Sequence, residues 1–298
     1  MKISTLFIAL TLCALNSYAQ SFKWDIGAQA GIANYFGDLA SETGTNSLKL
    51  YQENTRYSGG LFARVRASYR LGVNFQLNYV YITGADSLNQ ESDRTSRNLN
   101  FRNQIIEGST RLEYYPIIFN DVGGHKRYSC DFHLYLFAGL GLAYSNPQAE
   151  YNGGWEDLRP LQTEGVSYSA IQPVIPIGLG GFFTFKGRNQ RFRRHRIGIE
   201  INWRKTFTDY LDDVSSTYIN NQDILNDRGE TAAALADRRP GSNGNAGGIR
   251  GNPDDNDGYG TISVSYSFVL ASGKRSFFRP RYNYTYGKSP GTSRKTKF

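Results

Sequence analysis

The clearest pattern in the chain lies in residues 260–270. Ile262, Val264, Tyr266, Phe268 and Leu270 alternate with Thr261, Ser263, Ser265 and Ser267. Side chains of a β-strand point alternately to opposite faces, so this segment predicts a strand with one apolar and one polar side. It is about twice the usual five to six residues of a soluble strand, and a tilted strand crossing a bilayer needs about 9–11. The same alternation recurs seven times upstream. It predicts strands over about 24–36, 59–70, 73–81, a stretch ending near 114, 132–144, 171–185 and 196–204. Pro173 and Pro176 place the start of the sixth strand at a bulge or an unpaired rim. Eight strands result, and their connections alternate long and short, the longest running from 205 to 259. The connection 116–128 is read as a loop of medium length, 146–169 as a long loop, and 221–248 as a segment of low complexity. No internal repeat is evident.

This pattern predicts an all-β chain: an eight-stranded antiparallel transmembrane β-barrel with long extracellular loops and short periplasmic turns. An even strand count puts both termini on the short-turn side. A soluble lipocalin-like barrel also alternates, but strand length and loop asymmetry favour the membrane form. The predicted polar face carries both signs of charge. Arg64, Arg66, Glu107, Arg111, Glu113, Glu200 and Arg204 are expected inside as a lumen network that plugs the barrel, since eight strands leave a bore that side chains can fill.

Targeting fits this reading. Residues 1–19 have Lys2, a short apolar run from Ile3 to Leu15, and a Ser17-Tyr18-Ala19 cleavage site, the pattern of a secretory signal. The domains expected are thus 1–19 signal peptide, 20–271 barrel and 272–298 basic periplasmic tail. Cys13 lies within the apolar run, so cleavage leaves Cys130 alone and no internal disulfide forms. The mature chain carries 33 basic and 26 acidic residues, +7. The tail supplies all of that excess through Lys274, Arg275, Arg279, Arg281, Lys288, Arg294, Lys295 and Lys297, with no acid. The body is close to neutral, which argues against nucleic acid as a partner.

Little enzymatic chemistry is written in the chain. His125, His133 and His195 lack metal-ligand spacing, and His133 reads as a hydrogen-bonded lumen residue. No nucleophile stands beside a histidine and a carboxylate, so no catalytic, cofactor-binding or metal residue is assigned. Asp254-Asp255-Asn256-Asp257-Gly258 lacks the register and closing glutamate of a calcium loop. The stretch 204–218 holds Asp209, Tyr210, Asp212, Asp213 and Tyr218. Its spacing allows a short helical turn, and it reads either as a mouth loop ordered by aspartate hydrogen bonds or as a partner-docking surface.

Tyr35-Phe36-Gly37-Asp38-Leu39, the segment Lys205-Thr-Phe-Thr-Asp-Tyr-Leu-Asp-Asp-Val-Ser215, and Arg250-Gly-Asn-Pro253 before the closing strand resemble PorG-type outer-membrane proteins of Bacteroidetes. The resemblance implies a non-enzymatic part of the type IX secretion machinery, which in some members also serves gliding. It also implies association with a periplasmic PorK–PorN-like ring. The tail, with Lys274, Arg275, Arg279 and Arg281, is the expected handle on that partner. Tyr282, Tyr284 and Tyr286 alternate with polar residues and could add a strand to a partner's sheet. Two alternatives stand beside this: an OmpX-like surface barrel that binds through its external loops, and a membrane-lipid enzyme.

Overall fold

The computed structural model describes residues 23–40, 54–88, 96–122, 130–186, 193–242, 244, 246–254 and 256–270. The expected signal peptide, the tail with its basic residues and tyrosines, His125 and Asp255 lie outside the described residues. The strands are β1 (Lys23–Phe36), β2 (Arg56–Arg66), β3 (Leu71–Ala85), β4 (Asn100–Val122), β5 (Cys130–Tyr144), β6 (Pro147–Tyr151), β7 (Gly154–Asp157), β8 (Ile171–Lys186), β9 (Arg193–Thr206) and β10 (Gly258–Leu270). Among the described residues, the connections hold a 3-10 turn (Asp86–Leu88) and the short helices α1 (Leu158–Leu161), α2 (Asn221–Arg228) and α3 (Glu230–Ala236). No helix among the described residues is long and apolar enough to cross a membrane, which says nothing about crossing by strands.

Eight of these strands form a closed wall. Each pairs antiparallel with its neighbours in the order β3-β2-β1-β10-β9-β8-β5-β4, and β3 pairs with β4 to complete the ring. The closure between β1 and β10 is continuous from Trp24↔Leu270 to Phe36↔Gly258. The connections after β2, β4 and β8 are short and lie at the rim where β1 begins and β10 ends. Those after β1, β3, β5 and β9 are long and lie at the other rim.

Alternation decides which side chain meets which medium. Ile26, Leu61, Leu77, Leu112, Leu140, Ile199 and Val264 all point outward and are exposed, Leu140 at 71 %. Arg64, Asn74, Glu107, Arg111, Glu200 and Arg204 point inward and are buried. This inverts a soluble protein, in which large charged residues stay outside. Aromatic residues gather on the outer face near both rims. Tyr57 packs on Tyr79 and Tyr81 near the long-loop rim, and Phe132 sits between Phe119 and Phe183 near the short-turn rim. Glycine on the inner face of β1 lets β10 come close. A Cβ on Gly31 would lie 2.1 Å from the carbonyl oxygen of Ile262.

Three sequence expectations are corrected. β4 does not end near Tyr114 but runs to Val122, with register shifts between Tyr114 and Ile117 and again between Phe119 and Val122. Pro116 lies at the first shift, where no ladder donor is needed. β4 therefore continues past Leu71↔Tyr114, its last pair with β3. The 146–169 loop contains the β6–β7 hairpin, turned by Asn152 and Gly153 at φ 51° and 78°. The 221–248 segment contains α2 and α3. The side chain of Asn220 accepts from the Gln222 amide to cap α2, and α3 buries Ala232, Ala233, Leu235 and Ala236. In β8, Pro173 pairs opposite Leu142, and the β5 ladder lapses opposite Ile175 and Pro176. Proline is accommodated by an interrupted ladder inside the strand.

Candidate functional site

The inward faces of the wall strands form three linked ion-pair groups along the bore. Nearest the long-loop rim, the Glu107 carboxylate accepts from Arg204 Nε at 2.8 Å, Tyr259 at 2.9 Å and Ser109 at 3.0 Å. In the middle, Arg111 donates both Nη atoms to Glu200 at 2.7 and 2.9 Å, and the Tyr135 hydroxyl donates to the same carboxylate at 2.8 Å. Nearer the short-turn rim, Arg64 spans Glu113 at 2.9 Å and Asp25 at 3.2 Å. Asp25 also accepts from Arg196 at 2.7 Å, and Glu113 from Asn74 at 2.7 Å and from Tyr115.

Such paired, fully desolvated charges hold one another in register. Removing one partner leaves an uncompensated buried charge. Phe137 lies under the Arg111 guanidinium at 3.9 Å, so rings fill the space between the pairs. Among the described residues, paired charges and rings thus fill the inward face of the wall. Six of the seven predicted lumen residues meet in this network. Arg66 stands apart: it lies over the Tyr115 ring at 3.9 Å, donates to the Tyr69 carbonyl, and has no carboxylate partner among the ion pairs. Asp25 and Arg196 were missed. Their inward register was visible in the alternation, but Asp25 precedes the charged stretch of the other strands and Arg196 sits in a basic run. His133 is buried and stacked on Phe182 at 4.9 Å, and its Nδ1 has no partner among the described residues.

Above the lumen, the long loops fold into a cap. Its apolar underside brings Leu39, Leu211 and Val214 from the loops onto Val80, Ile82, Phe101, Ile105 and Tyr259 of the wall. Its polar frame is made of aspartates. Asp212 accepts from the Tyr35 hydroxyl at 2.7 Å and from the amides of Leu39 and Val214 at 3.2 and 2.9 Å. Asp257 accepts from Tyr35 at 2.5 Å and from the Leu211 amide at 2.9 Å. Asp213, at φ 67°, accepts from Thr163 and from Tyr168 at 2.6 Å. Arg250 reaches Glu164 at 2.7 Å, and that carboxylate also takes the amides of Ser215 and Ser216. Asp38 accepts from the Asn252 amide at 2.7 Å.

The helical turn allowed for 204–218 does not form. Asp212 bonds the amide two residues on, and the left-handed Asp213 breaks any helical run. The three motifs noted in the sequence, near residues 35–39, 205–215 and 250–253, meet in this one cap.

Burial lifts the carboxyl groups of Asp212 and Asp257 well above the ordinary carboxylate range, and Asp38 and Asp212 respectively add repulsion. Burial also lifts Asp213 to about 6, against the pull of Arg250. Asp209, Asp212, Asp213 and Tyr218 are buried, and Tyr218 lies under the Arg239 guanidinium at 3.8 Å. Tyr210 is half-buried and stacks on Tyr168 at 4.7 Å. All five sit at the long-loop rim, opposite the rim where β10 ends. Among the described residues no group of histidine, cysteine, aspartate and glutamate is arranged to hold a metal.

No curated protein matches the chain. Among solved structures, Neisserial surface protein A aligns with 82 % of this chain and 96 % of its own, at 9 % identity and a TM-score of 0.35. The attachment invasion locus protein Ail of Yersinia pestis, crystallised with the heparin analogue sucrose octasulfate, covers 83 % and 99 %, at 10 % identity and 0.32. Acinetobacter baumannii CarO2 covers 83 % and 98 %, at 11 % identity and 0.21. Residues 3–226, more than half of the chain, match the family described as Domain of unknown function (DUF6089), and the chain belongs to that family.

Proposed function

We propose that the protein is a non-enzymatic outer-membrane barrel that holds a fixed position in the bilayer and serves as a scaffold. The observation that carries this is the inverted wall: apolar side chains outside over the full circumference, paired charges within. Lipid satisfies the first, and the ion pairs close the bore, so transport through the wall is not its task. The short-turn rim then faces the periplasm and the cap faces outward.

Within that reading, the resemblance to PorG-type proteins supports a place in type IX secretion, with the tail as the handle on a PorK–PorN-like periplasmic ring. β10 ends at the short-turn rim, periplasmic in this reading, and the excess of arginine and lysine in the sequence after it suits an acidic partner. The cap segment 209–218 lies on the other side of the membrane and belongs to any external contact.

Deleting the gene is expected to deplete the secreted substrates of the type IX pathway. Truncation after Ser272 is expected to leave a heat-modifiable barrel that no longer co-purifies with the ring after crosslinking. Retained co-purification rejects the tail as the handle. A second reading, a surface barrel binding through its external loops, is favoured by the exposed Trp155 on β7 and Ile249 in the cap. An unaltered secretome after deletion decides for it.

A further inference from the structure

The wall is not level at its short-turn rim. β4 pairs with β3 only as far as Leu71↔Tyr114, and the Tyr115 amide then donates to the Arg70 carbonyl in the β2–β3 turn. Beyond that bond β4 runs on to Val122 and pairs with β5, from Ile117↔Leu134 to Val122↔Cys130. A strand offers hydrogen-bonding groups to both sides. Over 117–122 the side turned away from β5 meets no strand among the described residues.

This overhang is fixed as a strand. The β5 ladder holds one side, and Ile118 packs inward on the cluster of Tyr115, Tyr135, Phe137 and Phe182. Its outward face is apolar, with Ile117, Phe119 and Val122 all exposed. A rigid open edge with an apolar face is a template for one more strand. Pro116 has no N–H and sits at the bulge where the edge begins, so the template starts at Ile117.

The sequence supplies a segment for it. Residues 41–53 and 89–95, outside the described residues, join strands at the opposite rim, while 123–129 and 187–192 close the β4–β5 and β8–β9 hairpins. With 1–19 read as a cleaved signal, the long stretch that is left follows Leu270. β10 ends at this rim, three strand spacings of about 4.8 Å from β3 around the wall. The residues from 271 to 281 can reach about 36 Å. They lead into Arg281-Tyr-Asn-Tyr-Thr-Tyr286, bounded by Pro280 and Gly287. Tyrosines alternating with polar residues between such stops have the pattern of a short strand.

We propose that 281–286 adds as a strand to the open edge of β4. A turn at Pro280 brings it back toward the wall, antiparallel to β4. Its tyrosines then lie over Ile117 and Phe119, a favourable cross-strand pairing of aromatic and apolar side chains. The tether makes the docking intramolecular, so a strand too short to bind from solution is present at an effective concentration on the millimolar scale. The basic residues from Lys288 to Lys297 then hang from the β4 side of the rim. The inference needs the closed barrel and the sequence after it, and nothing of the secretion role.

The test follows hydrogen exchange by mass spectrometry in the full mature chain in detergent. Beside it stand a chain truncated after Ser272 and the variant Tyr284→Pro, whose proline cannot continue a ladder. The heat-modifiable gel shift confirms that each barrel is folded. In the full chain the amides of 117–122 are expected to be protected. Either change speeds their exchange about tenfold or more, as local opening implies, and leaves the amides of 101–114 as they were. Lys295→Gln alters neither. Equal exchange in the full and truncated chains overturns the docking: fast in both, the edge is open to a partner from outside; slow in both, something else closes it. Faster exchange after truncation but not in Tyr284→Pro overturns the assignment to 281–286.

Discussion

The hydroxyl of Tyr35, at the top of β1, stands between two carboxylates from distant loops, Asp257 at 2.5 Å and Asp212 at 2.7 Å. A phenol has one proton to give, so it cannot satisfy two ionised groups at full strength. The contact fastens the cap to the wall. Tyr35→Phe is expected to loosen the cap by about 1–3 kcal/mol, the cost of leaving a buried acceptor unsatisfied. Hydrogen exchange of residues 207–216 should rise, while the heat-modifiable gel shift that reports the barrel stays. Unchanged exchange in that segment counts against this role.

The same aspartates give the cap a pH dependence whose sign can be stated. Burial raises Asp212 and Asp257, and brings Asp213 to about 6. The folded cap therefore binds more protons than the unfolded segment above about pH 4, the ordinary aspartate value. Its stability is fully present below that value and is lost as the pH rises through the folded pKa values. Protection of the 207–216 amides, corrected for intrinsic exchange, should be greater at pH 5 than at pH 8. The opposite trend would mean that the aspartates are ionised in the folded cap.

In the bore, Glu200→Gln removes the charge that answers Arg111. About 3–5 kcal/mol of destabilisation is expected, read as a lower urea midpoint for the folded gel band. The double change Arg111→Met with Glu200→Leu should recover much of that loss, because no unpaired charge remains. If the double variant is as unstable as the single one, the pair acts through hydrogen bonds to Tyr135 and its neighbours and not through charge balance.

Wall closure depends on a close approach of β1 and β10. Gly31→Val is expected to lower the yield of folded barrel in detergent, since its first side-chain carbon would meet the backbone of Ile262 and Ser263. Gly108→Val is the matched control. Nothing lies within 4 Å of a Cβ at Gly108, and the two folding yields should differ clearly.

Much of the wall was readable because strand faces repeat every two residues, and the outward-facing side of β9 or β10 shows that repeat without interruption. β4 was cut short because Pro116 looks like an end when the bulge that admits it is not visible. The β6–β7 hairpin left a signal that was passed over: Asn152-Gly153 is a strong two-residue turn between short strands. The cap was not readable as a unit. Tyr35 and Asp257 are 222 positions apart, and no local rule joins them. Alternation placed Asp25 and Arg196 inside, but that they bond to each other, 171 positions apart, is decided only by the closure of the ring.

The sealed bore has a consequence for the cell. A porin admits solutes in proportion to its copy number, so its abundance is limited by what the envelope can tolerate. A barrel closed by Arg111–Glu200 and Arg204–Glu107 carries no such penalty. In the proposed outer-membrane placement, copies of it add no leak for small solutes.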